Sequence, residues 1–71
     1  MKKDELARLE AYLRKTFGAK NLTVRARPKK DDSAEVYLGD DFVAILFRED
    51  EDGEVSYQFQ MAILEMDLEE A

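Results

Sequence analysis

The stretch FVAILF, residues 42–47, is six consecutive apolar side chains. Six residues are too few for a core helix and enough for a strand, and an unbroken apolar run marks a strand covered on both faces, as at the interior of a sheet. Its neighbours read the same way. Downstream, Glu49 to Glu54 contains Asp52-Gly53, a strong two-residue hairpin signal, and then Val55, Tyr57, Phe59 and Met61 alternate with Ser56, Gln58 and Gln60. Upstream, Gly39-Asp40-Asp41 supplies turn residues, preceded by Ala34, Val36 and Leu38 alternating with Glu35 and Tyr37. Beyond a polar loop at 28–33, Leu22, Val24 and Ala26 alternate with Thr23, Arg25 and Arg27, and Pro28 ends that run because it cannot donate to a ladder. The pattern predicts four strands in sequence order.

The N-terminal segment has a different period. Leu6, Leu9, Leu13 and Phe17 form one stripe at helical spacing, with Asp4 as the expected cap and Gly18 as the stop. Glu5 near the start and Arg14 and Lys15 near the end suit the helix dipole. The fold class expected is α+β: an N-terminal helix packed on a four-stranded antiparallel meander sheet, with a short C-terminal helix or tail, all in a single domain over residues 1–71. Residues 61–71 read as strand, helix or tail; the expectation is strand to about Leu64 and a short helix or tail beyond.

Register follows from the turns. A two-residue turn at Asp52-Gly53 faces Phe59 with Leu46 and Met61 with Ala44, and a three-residue turn at Gly39–Asp41 faces Leu38 with Phe42 and Val36 with Ala44. One face then holds Val24, Ala26, Val36, Leu38, Phe42, Ala44, Leu46, Tyr57, Phe59 and Met61, the expected core beneath the helix. The other holds Thr23, Arg25, Arg27, Glu35, Tyr37, Val43, Ile45, Phe47, Ser56, Gln58 and Gln60, with a centre too apolar to face water. Two covers suit it: the C-terminal residues Leu64, Met66 and Leu68, or a second copy of the chain in a two-fold dimer, the commonest symmetric assembly. The dimer is the expectation, through Tyr37, Val43, Ile45, Phe47, Gln58 and Gln60.

Composition narrows the chemistry. With 71 residues the chain hides only about 60% of the surface its unfolded form exposes. Residues 1–30 carry ten Lys or Arg against three acids, and residues 31–71 carry Arg48 alone against fourteen acids, so a basic half and an acidic half make up the net charge of -6. There is no cysteine and no histidine, which removes thiolate ligands, disulfides, the best nucleophile and the usual general base. The four hydroxyls of Thr16, Thr23, Ser33 and Ser56 have no evident activating partner, so no enzymatic activity and no cofactor or metal is expected. Aligning Gly53 to the glycine of a calcium loop puts Arg48 and Phe59 at ligand positions that need carboxylates, which rejects that motif. Asp32-Ser33 precedes a strand pattern rather than a helix, unlike the attachment site of an acyl carrier protein. No apolar run of signal-peptide or bilayer length is present, so a cytoplasmic location is expected.

The basic segment at Lys20, Arg25, Arg27, Lys29 and Lys30 is the candidate for anion or nucleic-acid contact. Against it stand the acidic total and the adjacent Asp31-Asp32. Arg25 and Arg27 should lie beside Glu35 and Tyr37 across the first hairpin, where an ion pair or an arginine stacked on the tyrosine needs no external ligand. Charged residues on this edge strand also discourage pairing with stray strands. The order helix, strands, helix approaches that of a double-stranded RNA-binding domain, but the C-terminal segment is acidic where that domain presents lysines.

The words AYLRKTFG, RPKKDDSAEVYLGDDF and DGEVSYQFQMAIL, spanning Ala11 to Leu64, resemble a family of very short uncharacterised bacterial proteins known as a domain of unknown function. The resemblance implies a bacterial cytoplasmic protein and supplies no activity, ligand or site residue. The residues themselves lead to the functional expectation of a small, acidic, non-catalytic protein–protein interaction module that self-associates as a homodimer through a sheet face. The alternative is a nucleic-acid-binding module using segment 20–30.

Overall fold

The computed structural model describes residues 1–70. Helix α1 spans Lys3–Phe17 and is followed by strands β1 (Leu22–Arg27), β2 (Lys30–Leu38), β3 (Asp41–Glu51) and β4 (Glu54–Gln60), and by a short helix α2 (Glu65–Glu69). All neighbouring strands pair antiparallel in the order β1-β2-β3-β4, the meander read from the alternation. The architecture is therefore α+β, with α1 on one face of the sheet.

Helix α1 starts one residue before the expected cap. Asp4 lies in its first turn, and the Lys2 N–H donates instead to the Glu5 carboxylate at 3.3 Å. At the other end Gly18 takes the left-handed conformation with φ 62°, and the Ala19 N–H reaches back to the Arg14 carbonyl at 3.0 Å, closing the last turn. The helix lies mainly over β1, so Leu13 is buried, Leu6 and Leu9 are half-buried, and Phe17 at the end of the stripe remains 56% exposed. The core is Leu13, Leu22, Val24, Ala34, Val36, Ala44 and Leu46.

The strands outrun their sequence signals. The expected loop at 28–33 is only the turn Pro28-Lys29, with Lys29 at φ 62°, because Lys30 pairs with Arg27 and β2 begins there. The acidic residues Glu49 to Glu51 continue β3, and Asp52 and Gly53 both take positive φ, as a two-residue turn matched to strand twist requires. That turn sets the β3–β4 register as expected, with Leu46 facing Phe59. Strand β4 ends at Gln60, short of Met61 and Leu64, and residues 61–64 run without regular structure into α2. Ala71, the last residue of that ambiguous segment, lies outside the described residues.

The faces of β3 depart from the expected alternation at its start. The turn after β2 has two residues, Gly39 and Asp40, so Leu38 faces Asp41 and Tyr37 faces Phe42, not Leu38 with Phe42. A bulge then absorbs Val43, and Val36 still faces Ala44. Val43 packs against the core under α1, whereas Phe42 meets Tyr37 edge-on at 5.7 Å on the opposite face. The two residues thus exchange the sides expected from simple alternation. Phe42, expected in the core, is 53% exposed. Ala26, Phe59 and Met61, also expected in the core, are exposed, because α1 packs mainly on β1 and meets β4 only through side chains such as Glu5 and Phe17.

Candidate functional site

The sheet face away from α1 has a charged side and an apolar centre. Arg25 faces Glu35 across β1 and β2, and its guanidinium carbon sits 4.0 Å from the centre of the Tyr37 ring. The Tyr37 hydroxyl donates to Glu35 at 3.1 Å, a bond to a carboxylate that raises the tyrosine pKa above its ordinary value. Arg27 donates to the hydroxyl of Ser33, which is buried, at 3.2 Å. Beside this network lie Ile45 and Phe47, both half-buried, with Phe42 beyond Tyr37 and the exposed amides of Gln58 and Gln60 on β4. Of the residues expected on this surface, Tyr37, Ile45, Phe47, Gln58 and Gln60 lie together, Val43 does not, and Phe42 takes its place.

The basic residues are not gathered into one patch. Lys20 precedes β1, whereas Lys29 and Lys30 lie at the turn after it, so the six residues of β1 separate them by about 20 Å. Arg25 and Arg27 are engaged on the sheet as described. In an antiparallel meander the β1–β2 and β3–β4 turns project from the same end, which puts the acidic residues of Glu49 to Glu54 on the end of the sheet that carries Lys29 and Lys30. The two fields oppose each other for a phosphate ligand. The N-terminal ammonium, also at this end, donates to the Asp31 carbonyl at 2.6 Å.

A second polar cluster, not foreseen from the sequence, ties α1 to the far half of the sheet. The Glu5 carboxylate accepts from the Arg48 guanidinium at 3.0 Å and from the Tyr57 hydroxyl. Arg48 also pairs with Asp50 at 3.5 Å. The Tyr57 hydroxyl, then Lys2 and Arg48, hold the Glu5 pKa below its ordinary value of 4.5 against the opposing effect of burial. The same bond raises the Tyr57 pKa above its ordinary 10.0. A depressed carboxylate contributes stability that is present above the unfolded pKa and is lost as pH falls through the folded one; a raised phenol contributes stability present below its unfolded pKa and lost as pH rises through the folded one. Tyr57→Phe is therefore expected to lower stability by about 1 kcal/mol near neutral pH and to flatten both the acid and the alkaline limb of the Tm–pH profile. Thermal melts from pH 3 to pH 11 check this, and superimposable profiles would remove the bond from the stability of the fold. The only cation of the acidic half, Arg48, was the one signal in the sequence for this contact.

The C-terminal segment borders the outer face without closing over it: Ala62, Leu64 and Asp67 line one open cavity with Phe42, Ile45 and Gln60. Ile63, Leu64, Met66 and Leu68 are 64%, 55%, 60% and 66% exposed. Among the described residues, no three carboxylates converge on a common point as a metal would need, and no helix is long and apolar enough to cross a membrane.

Compared with known proteins, residues 5–67 match the model of one family, described as "Protein of unknown function (DUF3126)". No curated protein and no solved structure matches the chain.

Proposed function

We propose a non-catalytic role in self-association for this chain, which belongs to the DUF3126 family. The surface is the sheet face away from α1. One observation carries the reading: the apolar centre at Phe42, Ile45 and Phe47 lies on the side of the sheet that α1 leaves open, and the C-terminal segment that was its intramolecular alternative is itself exposed. Tyr37, Phe42, Ile45 and Phe47 are already partly covered by their neighbours, so completing their burial contributes on the order of 1 kcal/mol each. Two copies contribute twice that, within reach of the roughly 4–15 kcal/mol cost of association. Gln58 and Gln60 form the polar rim. A chain without cysteine suits a reducing compartment, which supports the bacterial cytoplasmic setting implied by the family resemblance.

Sedimentation equilibrium tests the face directly. Phe42→Lys, at a position exposed enough to accept a charge without loss of fold, is expected to sediment at half the wild-type mass, and Phe47→Asp likewise. A wild type and a Phe42→Lys variant of equal mass overturn the reading.

A further inference from the structure

The two edges of the sheet are treated differently by the chain. On β1 three of the backbone groups that point away from β2 are bonded by α1 and its connection: the Arg14 guanidinium donates to the Leu22 carbonyl at 2.7 Å, the Val24 N–H donates to the Glu10 carboxylate at 2.9 Å, and the Leu22 N–H reaches the Ala19 carbonyl at 3.4 Å. Arg25, Arg27 and Pro28 make the rest of that edge unattractive to another strand. The β1 edge is closed.

Those bonds also fix which groups of β4 are free. In an antiparallel ladder the N–H and C=O of one residue point to the same side and those of the next residue to the other. Leu22 and Val24 point outward, so Thr23 points to Tyr37, Val36 points to Ala44, Ile45 points to Gln60, and Phe59 points out of the sheet. By the same alternation Val55, Tyr57 and Phe59 present their N–H and C=O groups to the open edge, and among the described residues no side chain bonds them. This strand has no proline, no cation and one carboxylate, at its first residue. It lacks every device that guards β1.

We infer that β4 is a pairing edge for a second copy of this chain, antiparallel across a two-fold axis at Tyr57, joining two four-stranded sheets into one. The sequence EVSYQFQ is self-complementary in that register. Tyr57 faces its own copy, Val55 faces the partner chain's Phe59, Ser56 faces Gln58 and Glu54 faces Gln60, so apolar side chains meet on the α1 side, amides and a hydroxyl meet on the other, and no like charges are opposed. The acidic β3–β4 turns fall at opposite ends of the ribbon. A second feature points to the same occupant. Because α1 leans over β1, a groove of about 540 Å³ lies open between α1 and β4, lined by Leu9, Tyr12, Leu13, Phe17, Leu46 and Phe59. Tyr12 and Phe17 in its wall are 65% and 56% exposed. Pairing at β4 sets the two grooves side by side, and each helix then flanks an apolar trough closed by the other copy.

The edge and the outer face are separate surfaces of one sheet, so the inference goes beyond the self-association proposed above and can fail or stand without it. The test is native mass and amide exchange on the full chain. Val55→Pro removes an outward donor from an edge strand that tolerates proline, and Val55→Lys keeps the donor but adds a charge that opposes pairing. Either variant is expected to halve the mass with an unchanged circular dichroism spectrum, and the wild-type amides of Val55, Tyr57 and Phe59 are expected to exchange slowly when concentrated and freely when diluted. Phe42→Lys should leave that protection in place, which separates the two surfaces. Free exchange of these three amides at every concentration overturns the inference, and protection lost in Phe42→Lys but retained in Val55→Lys overturns it as well.

Discussion

Leu46→Ala is expected to destabilise the domain by about 2–5 kcal/mol, enough to leave much of it unfolded. A chain of this length holds roughly 4–11 kcal/mol in total at the usual stability per residue. Leu46 is 2% exposed and sits at the crossing of the structure, facing Ala34 on β2 and Phe59 on β4. The neighbours that would have to fill the cavity are poorly suited to it: Ala34 and Ala44 have no side-chain freedom, and Val36 is fully buried and stiff. The loss therefore sits near the top of the range for leucine truncations rather than near the bottom. Urea unfolding followed by circular dichroism should show a lower midpoint with an unchanged slope, at one fixed protein concentration because association shifts the midpoint. Leu68→Ala, at a residue 66% exposed, is the control and should move the midpoint by no more than about 0.5 kcal/mol. Equal midpoints for the two variants would show that Leu46 is not part of the core.

How far the fold was legible depends on which interaction decided each feature. The meander was readable because alternation, an apolar run and Asp52-Gly53 are local signals, and the β3–β4 register followed from the turn alone. The β2–β3 connection was not, since Gly39-Asp40-Asp41 serves equally as a two-residue or a three-residue turn. The chain uses two, which on its own would shift every side chain of β3 to the wrong face. The bulge at Val43 restores the register, so Val36 faces Ala44 as expected while Phe42 and Val43 change sides. A bulge of this kind leaves no mark in a run where all six residues are apolar.

The surfaces divide along the same line. Arg25 against Glu35 and over Tyr37 was legible because it depends only on the register of one hairpin, which joins residues 10 and 12 positions apart in the chain. The Glu5, Arg48 and Tyr57 cluster joins residues 43 and 52 positions apart, and it depends on where α1 crosses the sheet, which the helical stripe does not specify. The same unknown explains Phe17, which the stripe assigns to the core and which instead touches Phe59 at the rim, 5.5 Å between ring centres. The closed β1 edge was half legible: the arginines and the proline were visible as guards, but the bonds from Arg14 and Glu10 to the β1 backbone again need the placement of α1.

Ala34→Leu is expected to cost about 1–3 kcal/mol by overpacking, and Ala26→Leu, one strand away on the same face, close to nothing. Ala26 and Ala34 face each other across β1 and β2, so the sheet face and the chemical change are matched, with Ala26 on the edge strand and Ala34 on an interior one. They differ in cover: Ala34 has no exposed surface and lies within the cluster that Leu13 closes from above, whereas Ala26 lies beyond the reach of α1. Three extra carbons at Ala34 have no void to enter, because its neighbours Val36 and Leu46 are themselves 0% and 2% exposed. The sheet cannot yield without breaking ladder bonds on both sides of β2, so the displacement falls on α1, which is held by side-chain contacts and by the bonds from Glu5, Glu10 and Arg14. The expected signature is therefore a lower urea midpoint together with faster amide exchange in α1 and little change in β2 and β3. Matched midpoints for the two leucine variants, or exchange that quickens in the strands before the helix, would mean that α1 does not close the core at Ala34 in the way the burial pattern requires.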